Sequence, residues 1–218
     1  MSKRYAEQLR ALLSPAERAV FEKLKSPLDV QNYLDRLPIN FELAGETIFS
    51  PRRVLREKQA HCVEGAVFAA ASLAYQGRTP YLLDIQTVPH DDDHVVALFK
   101  EDGRWGAISK TNHTILRWRD PVYKTFRELA MSYFHEYIVA DGEKTMRAFS
   151  KPFDLSRYAP EWVVAEEDLV DIIADLDDSP HYPIAAPRAM KRLRWAQPIE
   201  AKVLDITEWN KAGKKRKL

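Results

Sequence analysis

The sequence predicts an α+β domain, and three features carry that expectation. An alanine-rich run, "CVEGAVFAAASLAY", has the spacing of a buried helix. Three strand-like runs follow it, "TPYLLDIQTV", "HVVALFK" and "RWGAISK", rich in β-branched and aromatic residues. Asp102-Gly103 joins the last two runs as a tight hairpin turn. A central helix over residues 62–75, packed on a mainly antiparallel sheet, accounts for all three.

The elements before the central helix are marked by three Ser-Pro pairs. Ser14 caps a helix with Pro15 in its first position and Glu17 closing a capping box, and Ser26, Pro27 and Asp29 repeat the device. Val30, Tyr33, Leu34 and Leu37 give this second helix one buried face, and Pro38 ends it. After Ser50 a short helix is expected. In the central helix the many alanines allow neighbouring backbones to approach closely, and Gly77 is placed to cap its C-terminus. Beyond the hairpin come a loop, a short extended piece and a helix over "TFRELAMSYFHEY", whose Phe126, Leu129, Ala130, Tyr133, Phe134 and Tyr137 read as one packed face. Further helices are expected at "AEEDLVDIIADL" and "PRAMKRLRWA", on either side of the Pro-bearing link "DDSPHYPIAAP". The chain thus divides into a core over residues 1–152 with N-terminal helices, a helical C-terminal extension over 153–210, and a basic flexible tail over 211–218.

Composition narrows the function classes. At 218 residues, 45% hydrophobic and 30% charged, the chain is long enough to bury a real core and has no low-complexity block. Its longest apolar run is about half a membrane span. No signal segment is legible in "MSKRYAEQLRALL", so a cytoplasmic location without membrane partners is the expectation. One cysteine excludes an internal disulfide and a zinc site built from several thiolates. The formal charge of +1 hides an uneven distribution, since the five cations of "KAGKKRKL" leave a remainder of 28 basic and 32 acidic residues. Without a basic stripe on the body to extend it, that tail reads as a solvated end, and nucleic acid is not the leading partner.

The lone cysteine, Cys62, opens the central helix. A thiolate is the reactive form of cysteine, and the first turn of a helix offers partial positive charge that favours it. Such a nucleophile also needs a base and a polar group to orient that base. His94 begins the second predicted strand. With Asp102 and Gly103 as a two-residue turn, paired residue numbers sum to 205, which puts Ser109 diagonally across from His94 on the same face. Asn112 faces the other way unless the strand has ended or bulged, and is the alternative orienter.

In this arrangement the chain resembles the transglutaminase-like superfamily of papain-type thiol enzymes, and most of all its uncharacterised bacterial branch. The resemblance rests on Cys62 at the head of a helix, His94 in "DDHVVALFK", and the return through Trp105 to Ser109 in "RWGAISK". It spans roughly residues 26–112. It implies a transglutaminase-like, cysteine-proteinase-like core and a thiol hydrolase or acyltransferase without cofactor or metal. Such an enzyme acts on a peptide or amide carbonyl through an acyl-cysteine intermediate. An oxyanion hole would use the Cys62 backbone N–H, with Gln59 or Gln31 as candidate side-chain donors. The sequence departs from the family at the orienting position, where Ser109 stands in place of an aspartate. A neutral orienter stabilises imidazolium less. The alternative is therefore a non-catalytic peptide- or partner-binding protein with a degenerate triad.

Other residues receive plainer readings. His61 precedes Cys62, but adjacent side chains point apart at a helix start, so it is set aside as the base. His113 and His135 have no placed partner. Glu64 lies near the pocket or on the surface. "PHDDDH" mixes carboxylate and imidazole, yet consecutive residues in a short turn cannot all face one ion, so it reads as a solvated loop. The basic and aromatic residues of "RWRDPVYKTFRELAMSYFHEY" read as a packed face rather than a platform for bases.

Overall fold

A computed structural model describes residues 3–217. Five helices come first: α1 (Lys3–Leu12), α2 (Pro15–Phe21), α3 (Pro27–Leu34), α4 (Pro51–Glu57) and α5 (Cys62–Tyr75). Each Ser-Pro pair starts one of them. Ser14, Ser26 and Ser50 are the N-caps of α2, α3 and α4, each accepting a backbone N–H three residues on, and the first two complete capping boxes with Glu17 and Asp29. Each cap contributes about 1 kcal/mol.

Strands β1 (Tyr81–Gln86), β2 (His94–Glu101), β3 (Arg104–Ile108) and β4 (Arg119–Tyr123) follow, then α6 (Phe126–Met131), β5 (Ala148–Ser150), β6 (Phe153–Asp154), α7 (Val170–Asp177), β7 (His181–Pro183), α8 (Pro187–Met190) and α9 (Pro198–Ala201). The sheet order is β4-β3-β2-β1-β5-β7, with β6 also paired to β1, and every pairing is antiparallel. Asp102 and Gly103 both have positive φ, 48° and 73°, as a two-residue hairpin turn requires, and Leu98 pairs with Ala107 in the expected register.

The sheet separates two apolar clusters. On one side α5 lies against β2 and is enclosed by α1, α3 and α4. Its residues 64–74 are all buried, which is why the run is apolar on every side instead of amphipathic. Phe68 stacks on Phe21 and on Tyr33, with ring centroids 5.5 and 5.2 Å apart. On the other side α6 covers β3 and β4, and the six residues from Phe126 to Tyr137 singled out above share the second cluster. That helix stops at Met131, and a 3-10 turn over Phe134–Glu136 carries the face onward.

Three expectations about the C-terminal third need correction. Residues 153–210 are not a helical extension, because β6 and β7 enter the same sheet as β1. Of the run "PRAMKRLRWA", only Pro187–Met190 is helical. Residues 211–217 also fold back instead of trailing free: Trp209 bridges Lys215, Arg216 N–H donates to Glu208 O, and Lys215 lies 2.6 Å from the Glu208 carboxylate. Leu218 lies outside the described residues.

A buried ion pair fastens β7. His181 places Nε2 3.0 Å from Asp84 Oδ2 and Nδ1 2.6 Å from the Ser179 carbonyl, so both ring nitrogens face acceptors and both carry protons. The Asp84 hydrogen bond raises His181 above its ordinary value, while burial pushes the Asp84 carboxyl up. A raised histidine contributes stability fully present below its unfolded pKa of about 6.5 and lost as pH rises through the folded value. Resistance of the wild type to urea is therefore expected to fall above about pH 6.5 relative to His181→Asn, and a parallel pH dependence in the two proteins would refute the charged pair.

The N-terminal half of α5 is set by one close approach. A Cβ added at Gly65 would lie 2.4 Å from Lys110 Cβ, on the backbone segment just past β3. Gly65→Ala should cost roughly 1–3 kcal/mol in denaturant unfolding. Gly77→Ala meets no atom but places a side chain at φ 86°, and serves as a control for backbone strain alone.

Candidate active site

α5 begins at Cys62, so the thiol occupies the helix's first turn, where backbone N–H groups have no intrahelical acceptor. His61 is the N-cap. Its backbone is extended (ψ −171°), and its ring folds over the helix end: Nδ1 accepts the Val63 N–H at 3.3 Å and lies 4.0 Å from Cys62 Sγ, while Nε2 faces Thr47 O at 2.8 Å. The His61 ring does not diverge from Cys62 as neighbouring helical side chains do, although this contact does not make it the base. The divergence rule holds within a helix, and an N-cap residue is outside it.

Beneath His61 sits Glu64, with 0% exposure. Its carboxylate accepts bonds from the Asn40 amide (3.1 Å to each oxygen), Thr47 Oγ1 (2.8 Å), Phe49 N–H (3.1 Å) and His61 N–H (2.9 Å). It also lies 3.4 Å from His61 Nε2. The N-cap to N3 spacing of "HCVE" is the sequence signal that links the two residues.

On the other side, His94 opens β2 and is buried. Its Nε2 is 2.8 Å from Ser109 Oγ. The Ser109 hydroxyl donates its one proton to the Leu116 carbonyl, so the imidazole must donate Nε2–H to Ser109. Nδ1 is left as the basic nitrogen. Leu116 is held in a left-handed backbone conformation, φ 59°, with its N–H donated to Glu136 Oε2 at 2.6 Å.

Gln31 and Gln59 lie elsewhere. Gln31 clamps the Ser109 backbone at two points, donating to its carbonyl and accepting its N–H, both at 2.9 Å. Gln59 reaches Asn40 Oδ1 at 3.5 Å, and neither amide lines the cleft at Cys62. The candidate oxyanion donors that remain are backbone N–H groups of the first turn. Asn112 lines the cleft, but its side chain is committed to Trp209, accepting the N–H at 2.7 Å and donating to the carbonyl at 3.1 Å. Ser109 is thus the residue in contact with His94.

The cleft has a volume of about 290 Å³. Cys62, His61 and His94 share it with the aspartates 91–93, Glu136, Tyr137, and an apolar side formed in part by Ile39, Ile115 and Leu204. Two roomier hollows, of about 660 and 800 Å³, have neither cysteine nor histidine in their walls. Lys110 is 1% exposed, its ammonium bonded to the Leu34 and Leu37 carbonyls, and burial pulls it down to about 8. His113 stands in the cleft wall, pushed down by burial, whereas His135 is exposed. Among the described residues no group of three or more His, Cys, Asp or Glu is placed to hold a metal ion.

Electrostatics at Cys62 are a contest. Burial, the strongest influence, pushes the thiol up, but hydrogen bonds and charge from His61 and His94 outweigh it and bring the thiol down to about 6. For His61, burial favours the neutral ring most strongly, yet the Cys62 hydrogen bond and charge, Glu64 and the Thr47 carbonyl raise it to about 9. Between those values thiolate and imidazolium coexist as a pair. His61 Nδ1 then turns from accepting the Val63 N–H to donating toward sulfur.

No protein-family model matches the chain, and no curated protein matches its sequence.

Alkylation by iodoacetamide follows the thiolate fraction, so the rate at Cys62 is expected to inflect near pH 6. In His61→Ala the inflection should move up toward the ordinary thiol range of about 8.5, with a smaller move for His94→Ala. An inflection at the ordinary value in the wild type would contradict this electrostatic picture.

Proposed function

We propose that this chain is a transglutaminase-like thiol hydrolase or acyltransferase acting on a peptide or amide carbonyl. The observation that carries the reading is the placement of the thiol: Cys62 heads a helix, with His61 Nδ1 4.0 Å from its sulfur, in a cleft whose wall it shares with His94. A buried structural cysteine needs none of these.

The chemistry follows from the geometry. Cys62 sulfur adds to the carbonyl carbon, forming a C–S bond while the C–O π pair moves to oxygen. The first-turn N–H groups of α5 are the candidate donors to that oxygen. His94, in its Nε2–H tautomer, presents Nδ1 as the site of the mobile proton. As the tetrahedral adduct collapses, the C–N bond breaks and the departing amine takes a proton that Nδ1 has first accepted from solvent, leaving His94 neutral again. Water or a second amine then attacks the thioester, giving up a proton to the same nitrogen, and the C–S bond breaks to restore the thiolate. His61 remains an imidazolium through the cycle, a fixed charge beside sulfur rather than a shuttle, because its Nε2–H is held by Thr47 O and backed by Glu64.

A second reading, a binding protein retaining this cleft, is favoured by one observation. Ser109 is neutral and spends its proton on Leu116, so it orients His94 without supporting its charge. The two readings part on acyl transfer. Incubation with p-nitrophenyl acetate is expected to leave an acetyl group on Cys62, visible by peptide mass spectrometry. Cys62→Ser should abolish it, and His94→Ala should slow its formation and turnover by about 10²–10⁴-fold. A wild-type thiol that alkylates readily near pH 6 yet never carries an acetyl group would favour the binding protein.

A further inference from the structure

The acidic lip of the cleft has no counterion. Asp91, Asp92 and Asp93 all line it, Asp92 and Asp93 exposed. Their partners are neutral. Asp91 takes the Thr145 hydroxyl and the Asp92 N–H, and Asp93 takes the Thr87 N–H at 2.7 Å and its hydroxyl at 2.9 Å. Among the described residues none of the three lies within ion-pair distance of a lysine, arginine or histidine. Glu136, also in the wall, differs in being paired with Arg119 at 2.6 Å. Cations that face the cleft do not reach across: the Lys110 ammonium is bonded to the Leu34 and Leu37 carbonyls, and the His61 ring is turned to Thr47, Glu64 and Cys62.

A second observation points to a missing ligand. Tyr137 stands in the same wall, 2% exposed, and among the described residues its hydroxyl has no hydrogen-bond partner. A buried phenol without a partner costs about 1–3 kcal/mol, a penalty relieved when an incoming carbonyl accepts its proton. The wall therefore offers unneutralised carboxylates at its mouth and an unused donor within.

We infer that the cleft selects an acyl substrate carrying a fixed positive charge, a guanidinium or alkylammonium group, close to the carbonyl presented to Cys62. The inference rests on the thiol chemistry proposed above and names its substrate class. The cation lies against the aspartates 91–93, where it supplies the counterion that the protein lacks. Charge in such a mouth also raises the local concentration of cationic substrate, which an anionic one would lose.

Two methanethiosulfonate probes of similar size test this without a known substrate, one bearing trimethylammonium and one sulfonate. Both form a mixed disulfide with Cys62, the thiolate displacing methanesulfinate. The ratio of their rates, divided by the same ratio for 2-mercaptoethanol, cancels thiolate content and reads the field at the cleft. A normalised preference for the cation of about tenfold or more at low salt is expected, shrinking as salt is added. Asp92→Asn should lower it several-fold and Asp92→Lys more. Asp92 carries no side-chain bond to the fold, and circular dichroism checks that both variants are native.

A normalised ratio near one, a ratio unmoved by either variant, or a Cys62 closed to both probes overturns the inference. Failure of the enzyme reading looks different. A charge-blind cleft whose thiol still inflects near pH 6 and accepts acetyl removes only the cationic substrate. A cation-preferring cleft that never accepts acetyl removes the acyl chemistry and leaves a cation-binding site.

Discussion

The start of α5 depends on a buried carboxylate. Glu64 gathers donors from Asn40, Thr47, Phe49 and His61, so one side chain fixes both the loop before α4 and the cap of the cysteine helix. An ionised group with no exposure survives only because nearly all its lone pairs are used. Because Glu64 also lies beside His61 Nε2, the same charge that holds the backbone steadies the imidazolium next to sulfur. Replacing it by an apolar residue would undo structure and electrostatics together.

The opposite wall is built by long-range clamps. Gln31 from α3 grips the backbone of Ser109, and Lys110, next in sequence, hooks the Leu34 carbonyl at the end of the same helix and the Leu37 carbonyl in the turn beyond it. These bonds span 73 to 78 residues of sequence. They place Ser109 Oγ between Leu116 O and His94 Nε2, and that placement decides the tautomer of His94. Thus the imidazole's basic nitrogen is selected by a hydroxyl, a leucine carbonyl and a glutamine three steps removed from the thiol.

Much of the fold was legible because its signals are local. Ser-Pro caps, the apolar run from Cys62 to Tyr75, and Asp102-Gly103 each state an element within a few residues, and the hairpin alone carries register far enough to bring Ser109 near His94. What sequence reasoning missed is non-local or conformational. The contact of His61 with the thiol is invisible to a rule for helical neighbours, because an extended backbone is what lets the ring turn over the helix end. Gln31 was given a chemical role by type and position, when its partner is a backbone unit 78 residues away. The strands β6 and β7 are two and three residues long, too short for periodicity to register, and are defined by the strands they join. Tyr137 was read correctly as packed, but its unpaired hydroxyl depends on what does not surround it.

The bond between Asn112 and Trp209 has a consequence for biosynthesis. Asn112 side-chain atoms hold Trp209, and Leu204 from the same segment lines the cleft. During translation the cysteine helix and its hairpin leave the ribosome about a hundred residues before this last wall is made. A nascent chain therefore carries its thiol and both imidazoles beside an unfinished crevice until the segment from Leu204 to Trp209 has emerged.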